Sequence, residues 1–254
     1  MSAETAARAT MRGNALVFPS LGDTGQRLEL TQMLGRGMSG HSIADEIALA
    51  VATEIIEGRL SPGDDLNSVE LARTFNSSRT PVREALLVLE REGFVEITAR
   101  RRPRVARLLL REVRELYSLR AELYAVVSRA VVRLATEADL EMLRGHQRAL
   151  EAAVAHDDVD RYFWVNVQFR NTEADIARNA TLRRVLDTLA LRALQLRHLS
   201  LSQPGRLGPS VADHGRLLKA YEDRDAELAS ALTQSLVRKG FAAIERSGWT
   251  GEET

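Results

Sequence analysis

The stretch SSRTPVREALLVLEREGFV, residues 77–95, sets Arg79 and Arg83 four residues apart, on one edge of a helix. Ser78 and Thr80 stand beside them. These side chains suit an anion. A guanidinium can fork onto guanine O6 and N7 or onto phosphate, and a hydroxyl can bond phosphate oxygens. Ala85, Leu86 and Leu89 are core-type residues, so the helix must pack on one side while its cationic start stays free. Further on, Arg100, Arg101, Arg102, Arg104 and Arg107 follow with no acid between Thr98 and Arg107. A basic tip of this kind suits the DNA backbone or the minor groove. The bland reading is a set of surface ion pairs, Arg79 and Arg83 with Glu84 for instance, each worth only ~0–1 kcal/mol.

The elements around these residues decide between the two. Ser42 followed by Asp45 reads as an N-cap pair, and Ile43, Ile47, Val51 and Ile55 then recur once per helical turn until Gly58. SPGDDL is a turn into a short extended segment. Asn67, three residues before Glu70, opens a short helix over SVELARTF. Asn76 stands where a left-handed C′ residue is wanted, Ser78 or Thr80 caps the next helix, and Pro81 lies in that helix's first turn. After Gly93, FVEI and RVARL flank ARRRP as a two-stranded hairpin. Three helices, a short turn between the second and third, and a hairpin make a winged helix-turn-helix, whose third helix enters a major groove by its N-terminal end. In that order of elements the anion-binding reading outweighs the ion-pair reading.

From about Leu108 the pattern turns wholly helical, with short separators HDDV, RNA, QPGRLGPS and DR. The expected fold is therefore mainly α: an N-terminal winged helix-turn-helix domain followed by an all-helical bundle of about six helices. The expected divisions are a flexible N-terminal arm over 1–40, the winged domain over 41–108, the helical domain over 109–247 and a tail over 248–254.

The bulk properties exclude several classes. The 35 basic and 35 acidic residues cancel, so nucleic-acid binding must rest on local charge rather than a global field. The chain has no cysteine, which rules out disulfides, thiolate metal sites and thiol nucleophiles. There is no P-loop, no G-x-S-x-G and no H-E-x-x-H, so no enzyme is expected. No apolar run approaches the ~20 residues of a membrane span, and the first 40 residues lack a secretory pattern; a cytoplasmic protein is expected.

IIEGRLSPGDDL, ELARTFNSSRTPVREALLVLEREGFVEI and RPRVARL together resemble the GntR family of bacterial transcription regulators, with SRTPVREAL the most specific part. The helical half resembles the ligand-sensing FCD domain of the FadR branch. The resemblance implies a homodimer on a palindromic operator, with a small effector altering DNA affinity. It implies DNA contacts at Ser78, Arg79 and Arg83, with Thr80 adjacent. Val69 stands where the family often has Arg or Glu, and Arg102 stands where the wing tip usually has Gly, so the tip is expected to be more rigid and more cationic.

Many FCD domains hold a divalent metal through an Asp and a His four apart and two later His. Here Asn166 and Arg170 occupy the first two positions, His214 matches the third and Leu236 takes the fourth. Arg is no metal ligand and Asn a poor one, so no metal and no other cofactor is expected. Arg170 could instead bind an anionic, carboxylate-type effector directly, with Asn166, His214 and the inward Arg120 implied by the family completing the site. The alternative is that Arg170 pairs with Glu173 and the helical half is a vestigial sensor in an effector-independent dimeric DNA-binding protein.

Overall fold

The computed structural model describes residues 42–249 together with Leu30, Thr31 and Leu34. The chain divides into two compact units at Arg107–Leu108. Most of the expected flexible arm lies outside the described residues. Leu30 and Leu34 are helical and fully buried, however, so that part of the arm does not fit a loose reading.

In the first unit, α1 (Ile43–Ile56) is opened by the expected capping box between Ser42 and Asp45. Ile43 is 42% exposed and is not a core residue, whereas Ile47, Val51 and Ile55 are fully buried. Gly58, at φ +76, ends the helix, and the Arg59 guanidinium turns back to fork onto Glu54 at 2.8 and 2.9 Å. Helix α2 (Ser68–Thr74) starts where Asn67 accepts from the Val69 N–H at 3.0 Å. Asn76 takes the left-handed turn (φ 45) before α3 (Arg79–Arg91). Val82, Ala85, Leu86, Val88 and Leu89 bury one face of α3, and Leu71 and Ala72 are the buried residues of α2.

The hairpin is shorter than the sequence suggests. Strands β1 (Val95–Glu96) and β2 (Arg104–Val105) pair antiparallel, with Val95 opposite Val105 and Glu96 opposite Arg104. The segment after the SPGDD turn lies on the other side of β2: Gly63 N–H donates to Val105 O at 2.8 Å, Val105 N–H to Asp64 O at 3.0 Å and Leu66 N–H to Pro103 O at 2.7 Å.

The second unit is the expected bundle of six helices among the described residues: α4 (Leu110–Leu134), α5 (Glu137–Ala155), α6 (Val159–Ile176), α7 (Ala180–Leu201), α8 (Leu207–Glu222) and α9 (Ala226–Arg246). Helix α8 starts at Leu207, ahead of the separator expected to run to Ser210. Pro209 falls in its first turn, where its missing N–H costs nothing. Arg206, the half-buried N-cap residue, and the buried Ser210 of the first turn then line a cavity of the helical unit. Among the described residues no helix is long and apolar enough to cross a membrane.

Candidate functional site

Two groups of residues stand out, one in each unit. In the first, Ser78 occupies the N-cap position of α3 but its side chain makes no capping bond. Its hydroxyl is therefore free, beside the first N–H groups of the helix, where anions are favoured. Arg79, Thr80 and Arg83 are exposed on the same end. Neither Arg79 nor Arg83 has an ion-pair partner among the described residues, so the expected alternative of pairing with Glu84 is not realised.

The wing arginines divide. Arg100, Arg101 and Arg102 are exposed and unpaired among the described residues. Arg104, expected at the DNA, forms an ion pair with Asp65 at 2.7 Å, set up by the bridge between the 63–66 segment and β2. The Arg107 guanidinium lies over Gly63, where a Cβ would collide with it. The left-handed residue of the tip is Arg100 (φ 64), rather than the Arg102 that stands at the family's glycine position.

In the helical unit, Arg120, Asn166, Arg170 and His214 line one cavity of about 60 Å3. The chemistry is not the one expected of Arg170. Its Nη1 donates to Glu173 at 2.9 Å, three residues on along α6. Glu173 is fully buried, and the Tyr221 hydroxyl donates to its other oxygen at 2.5 Å. Ser128 Oγ lies 3.0 Å from that hydroxyl and 2.7 Å from Thr233 Oγ1, which extends the network into α4 and α9. The Arg170 guanidinium also sits 5.1 Å from the Tyr124 ring centre. Arg170 is thus satisfied from within the protein.

His214 and Asn166 meet at the family's metal position. His214 Nδ1 donates to Ser210 O at 2.8 Å, which leaves Nε2 as the ring's acceptor, and Asn166 Nδ2 donates to it at 3.0 Å. Burial, and then the Arg170 cation, push the His214 pKa down to about 3, so the ring is neutral. Its one lone pair is used and a guanidinium stands beside it. These residues do not fit a divalent cation, and among the described residues no group of three His, Asp or Glu side chains gathers to hold one.

Three further arginines line the cavity. Arg120 is 4% exposed, and its Nη1 is buried with no partner. Its guanidinium stacks 5.5 Å from the Tyr117 ring centre and 5.6 Å from that of Tyr124. Arg197 and Arg206 line the same space, and Arg206 Nε is likewise buried without a partner. Burial, together with the neighbouring Arg120, pulls the Arg197 pKa down to about 10. Burial alone would raise the Tyr124 phenol, yet Arg120, Arg197 and Arg170 outweigh it and hold that pKa below its usual value. The charges lining the cavity are thus positive in excess, with Glu173 balancing only Arg170.

Sequence reasoning missed Arg197, Arg206 and Tyr117. Arg197 did leave a signal, because it interrupts the apolar stripe of Leu186, Leu194 and Leu201 on α7. Arg206 sits between two helices and carried none.

Comparison with known proteins agrees with this division. Residues 43–105 match the family described as bacterial regulatory proteins, gntR family, and residues 115–239 match the FCD domain. The chain is 24% identical over 216 residues to the HTH-type transcriptional repressor RspR of Escherichia coli, covering 83% of this chain and 95% of that one. It is 26% identical over 176 residues to the HTH-type transcriptional regulator YdhC of Bacillus subtilis, covering 69% and 79%. Among solved structures, McbR/YncC of E. coli shares the fold with a TM-score of 0.71 at 23% identity, covering 82% of this chain and 99% of that one.

Proposed function

The chain belongs to the GntR family of bacterial regulatory proteins, with an FCD domain behind its winged unit, and from that premise we propose a cytoplasmic, homodimeric repressor whose hold on a palindromic operator is set by a small anion. It is a DNA-binding transcription regulator, as its relatives are, and not an enzyme. The free Ser78 hydroxyl and the unpaired Arg79 and Arg83 support readout by the start of α3, with Thr80 adjacent. Arg100, Arg101 and Arg102 support a phosphate or minor-groove contact by the wing. Arg104 contributes there only after release from Asp65.

The observation that carries the effector reading is the buried, unpartnered Arg120 Nη1 on a cavity wall that holds no acid. Burying an unpaired charge is costly, and a bound anion would offset that cost. An anion held by arginines takes the place of the family's metal. Asn166 and His214 shape the wall and Arg170 serves as its positively charged backing. The Arg170–Glu173 pair favours a vestigial sensor, but the unpartnered cations weigh against it.

The test uses an operator selected by the full chain from random duplexes, with affinity followed by fluorescence anisotropy as anions are titrated. A change in operator Kd of about fivefold or more is expected with the matching anion. A constant Kd across small anions would leave the effector-independent reading. The same preparation, made without a histidine tag, is expected to carry no stoichiometric zinc or nickel; about one equivalent by elemental analysis would overturn the metal-free site.

A further inference from the structure

The charge of the cavity exceeds what one carboxylate can balance. Arg120, Arg170, Arg197 and Arg206 line it, and only Arg170 has its own carboxylate, Glu173. Asp213, whose charge also reaches Arg206, is engaged by Lys239 at 2.7 Å and by Arg216. Three guanidinium groups are left without an ion pair among the described residues. The donors that point nowhere are of several kinds: Arg120 Nη1, Arg206 Nε and the Tyr117 hydroxyl. They come from α4 and from the start of α8, with Arg197 on α7 as a third side. Helix α8 adds its own positive end, since its N-cap Arg206 and first-turn Ser210 both face the cavity.

We propose that this cavity receives the phosphoryl group of a phosphate monoester, with the organic part leaving along the surface groove on the outer side of Arg206. The proposal rests on the anion-effector reading and narrows it from the carboxylate class. A phosphoryl group brings about −1.5 to −2 charges and three strong acceptor oxygens. That suits donors arriving from three helices better than the single charge and planar pair of oxygens of a carboxylate. A cavity of about 60 Å3 has room for one compact head group but not for a whole metabolite. The groove, of about 350 Å3, shares Arg206 with the cavity; Lys239, which Asp213 engages, and Arg246 also line it, and its other lining residues, among them Pro204, Pro209, Ala242 and Ala243, are uncharged. A short polyol tail, able to meet both the apolar residues and the Lys239 and Arg246 rim, fits that lining, and Arg206 is shared between head and tail.

Isothermal titration of the full chain in a Tris–chloride buffer tests this. The probes are inorganic phosphate, glycerol 3-phosphate, glycerate and succinate at one ionic strength. Glycerol 3-phosphate is expected to bind at least about tenfold tighter than glycerate, and tighter than inorganic phosphate. Arg120→Met and Arg197→Gln are each expected to cut that affinity at least about tenfold while keeping a cooperative thermal transition; two variants at separate helices guard against a single folding failure. Glycerate or succinate binding as tightly as the phosphate ester would overturn the phosphoryl assignment and leave the anion-effector reading standing. Phosphate binding that survives both substitutions would place it elsewhere and overturn the assignment too. No binding by any of the four, with operator affinity unmoved, would sink both.

Discussion

The same substitution at two arginines of one cavity wall should have very unequal effects on stability. Arg170→Met removes the partner of Glu173, a carboxylate with no exposure to solvent that would keep only the Tyr221 hydroxyl. Breaking a buried ion pair from one side costs about 3–5 kcal/mol. At about 2–4 °C per kcal/mol for a chain of this size, Tm should fall by roughly 6–20 °C. Arg120→Met removes a cation whose Nη1 has no partner and whose neighbour Arg197 repels it. Relief of an unsatisfied buried donor returns about 1–3 kcal/mol. The loss of stacking on Tyr117 and Tyr124 takes back about 0.5–2 kcal/mol. The net runs from about 1 kcal/mol of destabilisation to about 2.5 kcal/mol of stabilisation, so Tm should shift by between about −4 and +10 °C, short of the fall expected for Arg170→Met. The assay is a thermal melt by circular dichroism in chloride buffer free of other anions. A fall for Arg120→Met as large as that for Arg170→Met would mean that Arg120 is satisfied in the apo protein, and the argument from unbalanced charge would fail.

Other outcomes follow from the same geometry. Arg79→Ala should weaken binding to the selected operator by about 1–3 kcal/mol, the worth of a forked guanine contact, as read by anisotropy; unchanged affinity would remove Arg79 from the readout. Arg100→Gly relaxes a left-handed residue at the wing tip and deletes a cation. Stability should hold to within about 1 kcal/mol. The slope of log affinity against log salt should flatten by about one, and an unaltered slope would place Arg100 away from phosphate. His214 is neutral in the fold with a pKa of about 3, while in the unfolded chain it takes a proton below about 6.5. Its contribution is therefore lost as pH falls below that value, at up to about 1.4 kcal/mol per pH unit. Denaturant titrations between pH 7 and 5 should show a shallower acid loss in His214→Gln than in the parent, and parallel curves would mean that His214 does not titrate this way.

What the sequence showed clearly was local. Caps, glycines, Asn76 and the apolar period of α3 are read within a few residues, and each is set by backbone geometry that neighbouring residues determine. The winged unit was legible for that reason. The Arg104–Asp65 ion pair was not legible, because the two residues lie 39 positions apart and are brought together by a strand pairing. The left-handed residue of the tip, Arg100, carried no signal in the sequence, since its place depends on where strand pairing stops. In the helical unit, Asn166, Arg170 and His214 were found by their spacing and by resemblance, yet spacing could not say which arginine stays unpaired. Glu173, three residues after Arg170, was the legible warning. Arg206 was out of reach, because its burial depends on a helix starting earlier than its Pro-containing separator suggests.

The two sides of the cavity differ in a way that bears on how a ligand could act. The Glu173 side is a closed network in which Arg170, Tyr221, Ser128 and Thr233 hold one another across α6, α8, α4 and α9. That side has little reason to move. The Arg120, Arg197 and Arg206 side gathers like charge with no carboxylate of its own, so under the anion-effector proposal it is the side whose spacing would depend on occupancy. Helix α9 completes the wall through Leu236, Val237 and Gly240, and a Cβ at Gly240 would lie 3.3 Å from the Tyr117 ring, so this helix follows α4 closely. Just past its end, Trp249 Nε1 donates to Leu108 O at 3.1 Å, and Arg114 near the start of α4 bonds Glu245 near the end of α9 at 3.1 Å. Leu108 is the first residue of the helical unit, joined directly to Arg107 of the winged one. Under the same proposal, a change in spacing between the arginine-bearing helices would have covalent and hydrogen-bonded links to the residue at which the two units meet in the chain.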